Sequence, residues 1–358
     1  MKPTGIVTDP IYLKHEMGPF HPESPQRLEV IYSRIDSMCN GGSPGLNLVR
    51  IRAREATHEE IGSNHAGKYI ERIRATAGVS NTFLDADTST CQYSWEAATK
   101  AVGGLLNLVD AVAEGKVRNG FAFVRPPGHH AEWARAMGFC LFNNVAIAAR
   151  YARDKHGMQK VAIVDWDLHH GNGTQNAFFE DPGVLFLSTH ESPMYPGSGA
   201  VDEVGRGQGE GYTVNVPLPA GCGDPEYVTI FSALALPVLR AYAPDMILVS
   251  SGFDAHRRDP LGGMAVTEEG YDTMIRMLME VASEVCAERV VLSLEGGYDL
   301  TALENSAASV LRRLATYEPT PGNDPPQPPV DQLVPQFQRR ARSILSAHQR
   351  YWPTVLSI

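Results

Sequence analysis

Short unbroken apolar runs alternate along this chain with longer stretches in which apolar residues recur every three or four positions. The runs Gly120-Phe121-Ala122-Phe123-Val124, Val161-Ala162-Ile163-Val164, Val184-Leu185-Phe186-Leu187-Ser188, Tyr212-Thr213-Val214-Asn215-Val216, Met246-Ile247-Leu248-Val249-Ser250 and Val290-Val291-Leu292-Ser293-Leu294 read as strands, most of them fully buried. The three-and-four spacing predicts helices near 93–114, 143–156, 225–241, 267–287 and 301–315. Strands separated by helices pair in parallel, because a parallel neighbour needs a crossover long enough to hold a helix. The glycine-rich stretch Pro196 to Gly211 predicts a long loop, of a length that often carries function. No boundary is visible before about residue 318. Six prolines between Pro319 and Pro329 mark an irregular connector, and Val330 to Tyr351 predicts a helix whose Arg339, Arg340 and Arg342 lie on a docked surface. The expected organisation is a domain over 1–318, then a connector and a helical tail over 319–358 packed on that domain.

Composition narrows the class. With 358 residues and 43% hydrophobic content, the chain can hold one large α/β domain or two ordinary ones. No apolar run is long enough to span a membrane, and Met1 to Val7 lacks the apolar core of a signal peptide. Five cysteines, an odd number without paired spacing, fit a reducing compartment, and a cytoplasmic location is expected. A net charge of −10 argues against direct nucleic-acid binding. Subunit number stays open, a homo-oligomer included.

The chemistry gathers where strands end. Val161–Val164 runs into Asp165-Trp166-Asp167-Leu168-His169-His170-Gly171-Asn172. Carboxylates buried there cost several kcal/mol unless paired or bound to metal. Three other strands also end in reactive residues: Arg125-Pro126-Pro127-Gly128-His129-His130, Ser251-Gly252-Phe253-Asp254-Ala255-His256 and Glu295-Gly296-Gly297-Tyr298. In open α/β sheets ligands bind beyond the carboxyl ends of the strands, so these loops converge if their strands are adjacent. Asp167, His169 and Asp254 then form a three-ligand metal site suited to Zn²⁺, with Fe²⁺ as an alternative. His129 and His130 are candidates for general base and acid, with Asp165 and Asn172 available to fix their tautomers. Tyr298, after two glycines, can aim a phenol at a developing oxyanion. Alone, a His-His pair is usually incidental and Glu-Gly-Gly-Tyr is usually a turn. All four at strand ends point to metal-assisted hydrolysis of an amide or ester. His15, His58, His65, His156, His190 and His348 receive no role, and His21 and His256 only flank the site.

Together with His21-Pro22-Glu23-Ser24-Pro25-Gln26-Arg27 and Gly138-Phe139-Cys140-Leu141-Phe142-Asn143-Asn144, these segments make the chain resemble the zinc-dependent histone deacetylase superfamily, which includes acetylpolyamine amidohydrolases and acetoin-utilisation proteins. The resemblance spans residue 21 to about 315. It implies an arginase-like, three-layer α/β fold: a mostly parallel eight-stranded sheet with helices on both faces. It implies Asp167, His169 and Asp254 as zinc ligands, His130 as general base and then acid, His129 paired with Asp165 as an electrostatic partner, and Tyr298 on the substrate carbonyl. It further implies a structural K⁺ site using Asp165, Asp167, His169, Ser188 and Thr189, and a second involving Phe178, Asp181, Val184 and Tyr212.

The resemblance also suggests a subtype and a substrate. Asn172 stands where the class II-like branch has Asn and the class I branch Asp. Phe139 and Tyr195 match the aromatic walls of the family's tunnel, with Gly138 beside them, and Asp87 roughly aligns with the rim acid that holds the substrate backbone. An aromatic pair grips an acyl-lysine stem along its methylenes. Leu261 stands where the polyamine-selective relative carries an acidic gatekeeper. The expected activity is removal of acetyl or acyl groups from lysine side chains of proteins or peptides. Hydrolysis of small acetylated amines such as acetylpolyamines is the alternative, and a non-catalytic acyl-lysine binder is a third reading.

Overall fold

The computed structural model describes residues 2–39, 46–319 and 333–356. Ten strands occur in it: β1 Thr4–Val7, β2 Leu48–Arg50, β3 Thr82–Phe83, β4 Ser89–Thr90, β5 Asn119–Ala122, β6 Val161–Asp165, β7 Val184–Glu191, β8 Thr213–Leu218, β9 Met246–Ser251 and β10 Val290–Leu294. β3 and β4 make a small antiparallel hairpin. The other eight form one sheet in the order β2-β1-β5-β10-β9-β6-β7-β8. Every pairing in it is parallel, so the sheet is wholly rather than mostly so.

Every residue of β1, β5, β6, β8, β9 and β10 is buried. Successive strand residues point to opposite faces, so burial without alternation means that both faces are covered. The helices α1 Gln26–Ser37, α2 His58–Gly62, α3 Gly67–Arg74, α4 Ser94–Ala113, α5 Asn144–His156, α6 Asn172–Phe178, α7 Asp224–Ile230, α8 Leu236–Tyr242, α9 Glu268–Val285, α10 Leu300–Thr316 and α11 Pro335–Gln349 supply the cover. α4 packs with α5, while α1 and α9 pack on α10, and β5 touches both α4 and α10. The segment expected as one helix over 225–241 is α7 and α8 joined by a π-turn at Phe231–Ala235. Pro237 has no N–H to donate, and the turn before it opens.

α11 lies against β8. Its Phe337 and Ile344 are fully buried, and His348 donates through Nε2 to the Asn215 carbonyl at 3.1 Å. Arg340 donates to the Ser192 carbonyl at 3.0 Å. Most of the proline-rich connector expected over 319–329 lies outside the described residues. Among the described residues no helix is long and apolar enough to cross a membrane.

Candidate functional site

β5, β10, β9 and β6 are consecutive in the sheet, so the loops after them open side by side at one edge. Those loops carry His129 and His130, Tyr298, Asp254, and Asp167 with His169.

Asp167, His169 and Asp254 each offer a ligand atom, and these atoms lie within 4.8 Å of one another. His169 Nδ1 is 3.0 Å from Asp254 Oδ2 and 3.3 Å from Asp167 Oδ1. The backbone fixes both carboxylates: Gly296 N–H donates to Asp167 at 2.8 Å and Leu168 N–H to Asp254 at 2.9 Å. Gly296 has to be glycine, because a Cβ there would sit 2.2 Å from Asp254 Oδ2 and 2.7 Å from Asp167 Oδ2. Asp254 is fully buried, and burial with the neighbouring Asp167 charge pushes its carboxyl up. Burial likewise pushes Asp165 to about 6 and Glu295 to about 7. Carboxylates crowded in this way carry negative charge that a divalent cation neutralises. Two oxygens and one imidazole nitrogen, with the ligating His beside the cavity, fit a catalytic Zn²⁺.

The two histidines differ in environment. His129 Nδ1 meets Asp165 Oδ2 at 3.0 Å. Burial disfavours its charge, but Asp167 and Asp165 outweigh burial and raise His129 to about 10. His130 Nδ1 meets Asn172 Oδ1 at 2.7 Å. Burial, then His129 and His169, hold His130 well below its ordinary value. Two neighbouring imidazoles pushed in opposite directions separate a charged partner from a neutral base.

A cavity lined by Asp87, His129, His130, Gly138, Phe139, His169, Tyr195, Leu261, Gly296 and Tyr298 leads to these groups. Tyr195 stands edge-on to His130, and Phe139 edge-on to Tyr298, with centroids 5.2 and 6.0 Å apart. Asp87 sits at the rim and accepts from Gly138 N–H at 3.3 Å. Gly138 has φ +56°, and a Cβ there would lie 2.3 Å from His130 Cδ2, so only glycine lets this turn press on the imidazole. The structure thus brings together every residue expected at the zinc, proton-transfer and tunnel positions.

Of the residues expected to hold potassium, Asp165 and Ser188 are register partners, and Thr189 Oγ1 lies 3.5 Å from the Asp165 carbonyl. At the second set, Phe178, Asp181 and Val184 follow one turn, with Asp181 N–H on the Phe178 carbonyl. Arg153 pairs with the Asp181 carboxylate at 2.5 Å, and the Asp181 and Tyr212 carbonyls accept from the N–H groups of Val184 and Phe186.

Several residues with no assigned role hold the site in place. Glu23, Arg27 and Arg125 form a fully buried ionic cluster. Burial alone would raise the Glu23 carboxyl, but Arg125 and Arg27 hold it at about 2. Arg27 donates to the carbonyls of Glu295 and Gly297 at 2.5 and 2.7 Å, and its guanidinium lies 5.0 Å from the Tyr298 ring centroid. Glu295 accepts from Gly128 N–H at 2.6 Å and His129 N–H at 3.2 Å, tying the Tyr298 loop to the histidine loop. The signal for these residues was their place inside the motif segments. His21 packs edge-on to Phe139 at 4.7 Å, whereas His256 is buried and turned to Glu268, with Nε2 3.2 Å from its carboxylate.

The family described as "Histone deacetylase domain" matches residues 21–314. Histone deacetylase 15 of Arabidopsis thaliana is 43% identical over 303 residues, which cover 84% of this chain and 53% of that protein. This chain therefore spans about half the length of that relative. A probable deacetylase of Archaeoglobus fulgidus is 35% identical over 357 residues, 98% of each chain. The crystal structure of the HDA15 HD domain superposes with a TM-score of 0.88 at 36% identity, covering 99% of this chain and 96% of that one.

Proposed function

The chain belongs to the histone deacetylase family, and from that premise we propose that it is a zinc-dependent amidohydrolase that removes acetyl or acyl groups from lysine side chains. The observation that carries the reading is the floor of the cavity, where the Asp167, His169 and Asp254 ligand set adjoins a neutral, oriented His130. A zinc ion held there supplies a Lewis acid for the acyl carbonyl and acidifies a water molecule. His130 keeps its Nδ1 proton on Asn172 and presents Nε2 to the cavity, so it takes a proton from the attacking water and returns it to the leaving amine. His129, charged beside Asp165, supports the developing negative charge. The Tyr298 hydroxyl donates to the carbonyl oxygen as it becomes an oxyanion. Phe139 and Tyr195 enclose the methylene stem of the lysine.

Acetylpolyamines are the less favoured substrates. Leu261 lines the cavity and offers a distal ammonium no countercharge. Structural K⁺ at the Asp165–Ser188 junction belongs to the same reading, as does a cytoplasmic location, which five free thiols support.

The test is turnover of acetyl-lysine, longer acyl-lysine and acetylpolyamine substrates by wild type and Asp254→Ala. The wild type is expected to hold about one zinc per chain and to prefer the lysine peptides. Asp254→Ala is expected to lose the metal and nearly all turnover while keeping its circular dichroism. Full metal content in the variant overturns the ligand assignment, and a wide preference for acetylpolyamine overturns the substrate.

A further inference from the structure

We propose that Glu132 is a positioning residue for His130, acting through the side-chain amide of Asn172. The inference rests on the hydrolase reading above, in which His130 moves the protons. An Asn amide can turn over at little steric cost, because its oxygen and nitrogen are nearly the same size; only its bonds decide which way it faces. Around Asn172 those bonds agree. Its Nδ2 lies 2.5 Å from Glu132 Oε1, 3.4 Å from the His130 carbonyl and 3.5 Å from Met137 Sδ. All three are acceptors, and Glu132 is the charged one. With the nitrogen pinned there, Oδ1 must face His130 Nδ1, at 2.7 Å. A carbonyl oxygen only accepts, so Nδ1 carries the ring proton and Nε2 keeps its lone pair toward the cavity. Were the amide reversed, its NH₂ would meet Nδ1, the ring proton would move to Nε2, and the base would be lost.

Glu132 is itself held. Asn176 Nδ2 donates to its two oxygens at 2.9 and 3.1 Å, and His65 Nδ1 donates to its carbonyl at 2.9 Å. Asn172 and Asn176 stand one turn apart on α6, so one carboxylate reaches both amides. The arrangement makes position 172 specific for an amide while Glu132 is present. An ionised Asp at 172 could not donate, and two carboxylates so close cannot both ionise, so the pair would share a proton instead of holding a fixed amide. Glu132 and Asn172 are therefore a matched pair.

The experiment measures kcat and KM on an acetyl-lysine peptide for the wild type, Glu132→Ala, Glu132→Gln, Asn172→Asp and the Glu132→Ala/Asn172→Asp double variant. Glu132→Ala is expected to lower kcat about tenfold with KM little changed, since Glu132 does not line the cavity. Glu132→Gln keeps an acceptor oxygen and is expected to restore most of that loss. Asn172→Asp is expected to be more damaging with Glu132 present than without it, so the double variant outperforms Asn172→Asp alone. Strictly additive losses, or an effect on KM alone, overturn the role. Long-range ¹H–¹⁵N spectra of protein with ring-labelled histidine read the tautomer without turnover, with His130→Ala identifying the signal. The Nδ1–H form is expected in the wild type and a mixture in Glu132→Ala. An unchanged tautomer in Glu132→Ala overturns the proposal, whereas a wild type that shows the Nδ1–H form but hydrolyses nothing overturns only the hydrolase reading.

Discussion

Tyr298 shows how much of the site rests on single side chains. Its ring lies between the Arg27 guanidinium and the edge of Phe139. Burial holds the phenol well above its ordinary value, against the pull of Arg27, so the hydroxyl stays a donor through neutral pH. Tyr298→Phe keeps the ring and removes the donor. Turnover is expected to fall on the order of 10²–10³-fold while a substrate analogue still binds, which steady-state kinetics and calorimetry check together; near-normal turnover means that the hydroxyl does not reach the carbonyl. That Asp167, His169, Asp254, His129, His130 and Tyr298 converge was legible in the sequence because each follows an apolar run, where a strand must end. Glu132 was not: an acid two residues after a histidine pair signals nothing until the fold carries residue 172 across to it. The Glu23 cluster was hidden for the same reason, since Arg125 meets Glu23 across 102 residues.

Among the elements, the turn holding Gly138 couples tunnel shape to the base. Gly138→Ala places a methyl against the His130 ring in a backbone conformation that costs an L-residue about 1–3 kcal/mol. Both the urea midpoint and kcat are expected to drop. A variant with unchanged kcat means that the ring can yield without losing its bond to Asn172. The central strands were legible because they are buried on both faces and read as unbroken apolar runs. β1 and β2 were not: β1 has four residues, and β2 is a partly exposed edge of three. α6 escaped as well, because its seven residues follow the metal motif directly and contain too few turns for a period to show.

Over the whole molecule, buried neutral histidines set the response to acid. Burial lowers His15 to about 3, and His65 and His348 to about 4, from 6.5. The unfolded chain takes up these protons at a higher pH than the folded one, so the stability these three groups contribute is full above about pH 6.5 and is lost as pH falls toward 4. Each such group contributes a slope of about 1.4 kcal/mol per pH unit within that window. Urea midpoints are expected to fall steeply from pH 6.5 to 5, and His348→Gln is expected to flatten the fall; midpoints that do not move across that range remove the argument. The strand order has a different kind of consequence. β10, the last of the described strands in chain order, enters the middle of the sheet between β5 and β9. Until residue 290 has left the ribosome, the nascent chain can hold only two half-sheets, β2-β1-β5 and β9-β6-β7-β8, each with an unpaired inner edge. His130 stands at the rim of one and Asp167 and Asp254 at the rim of the other, so translation keeps the proposed proton carrier apart from the proposed metal ligands until β10 has emerged.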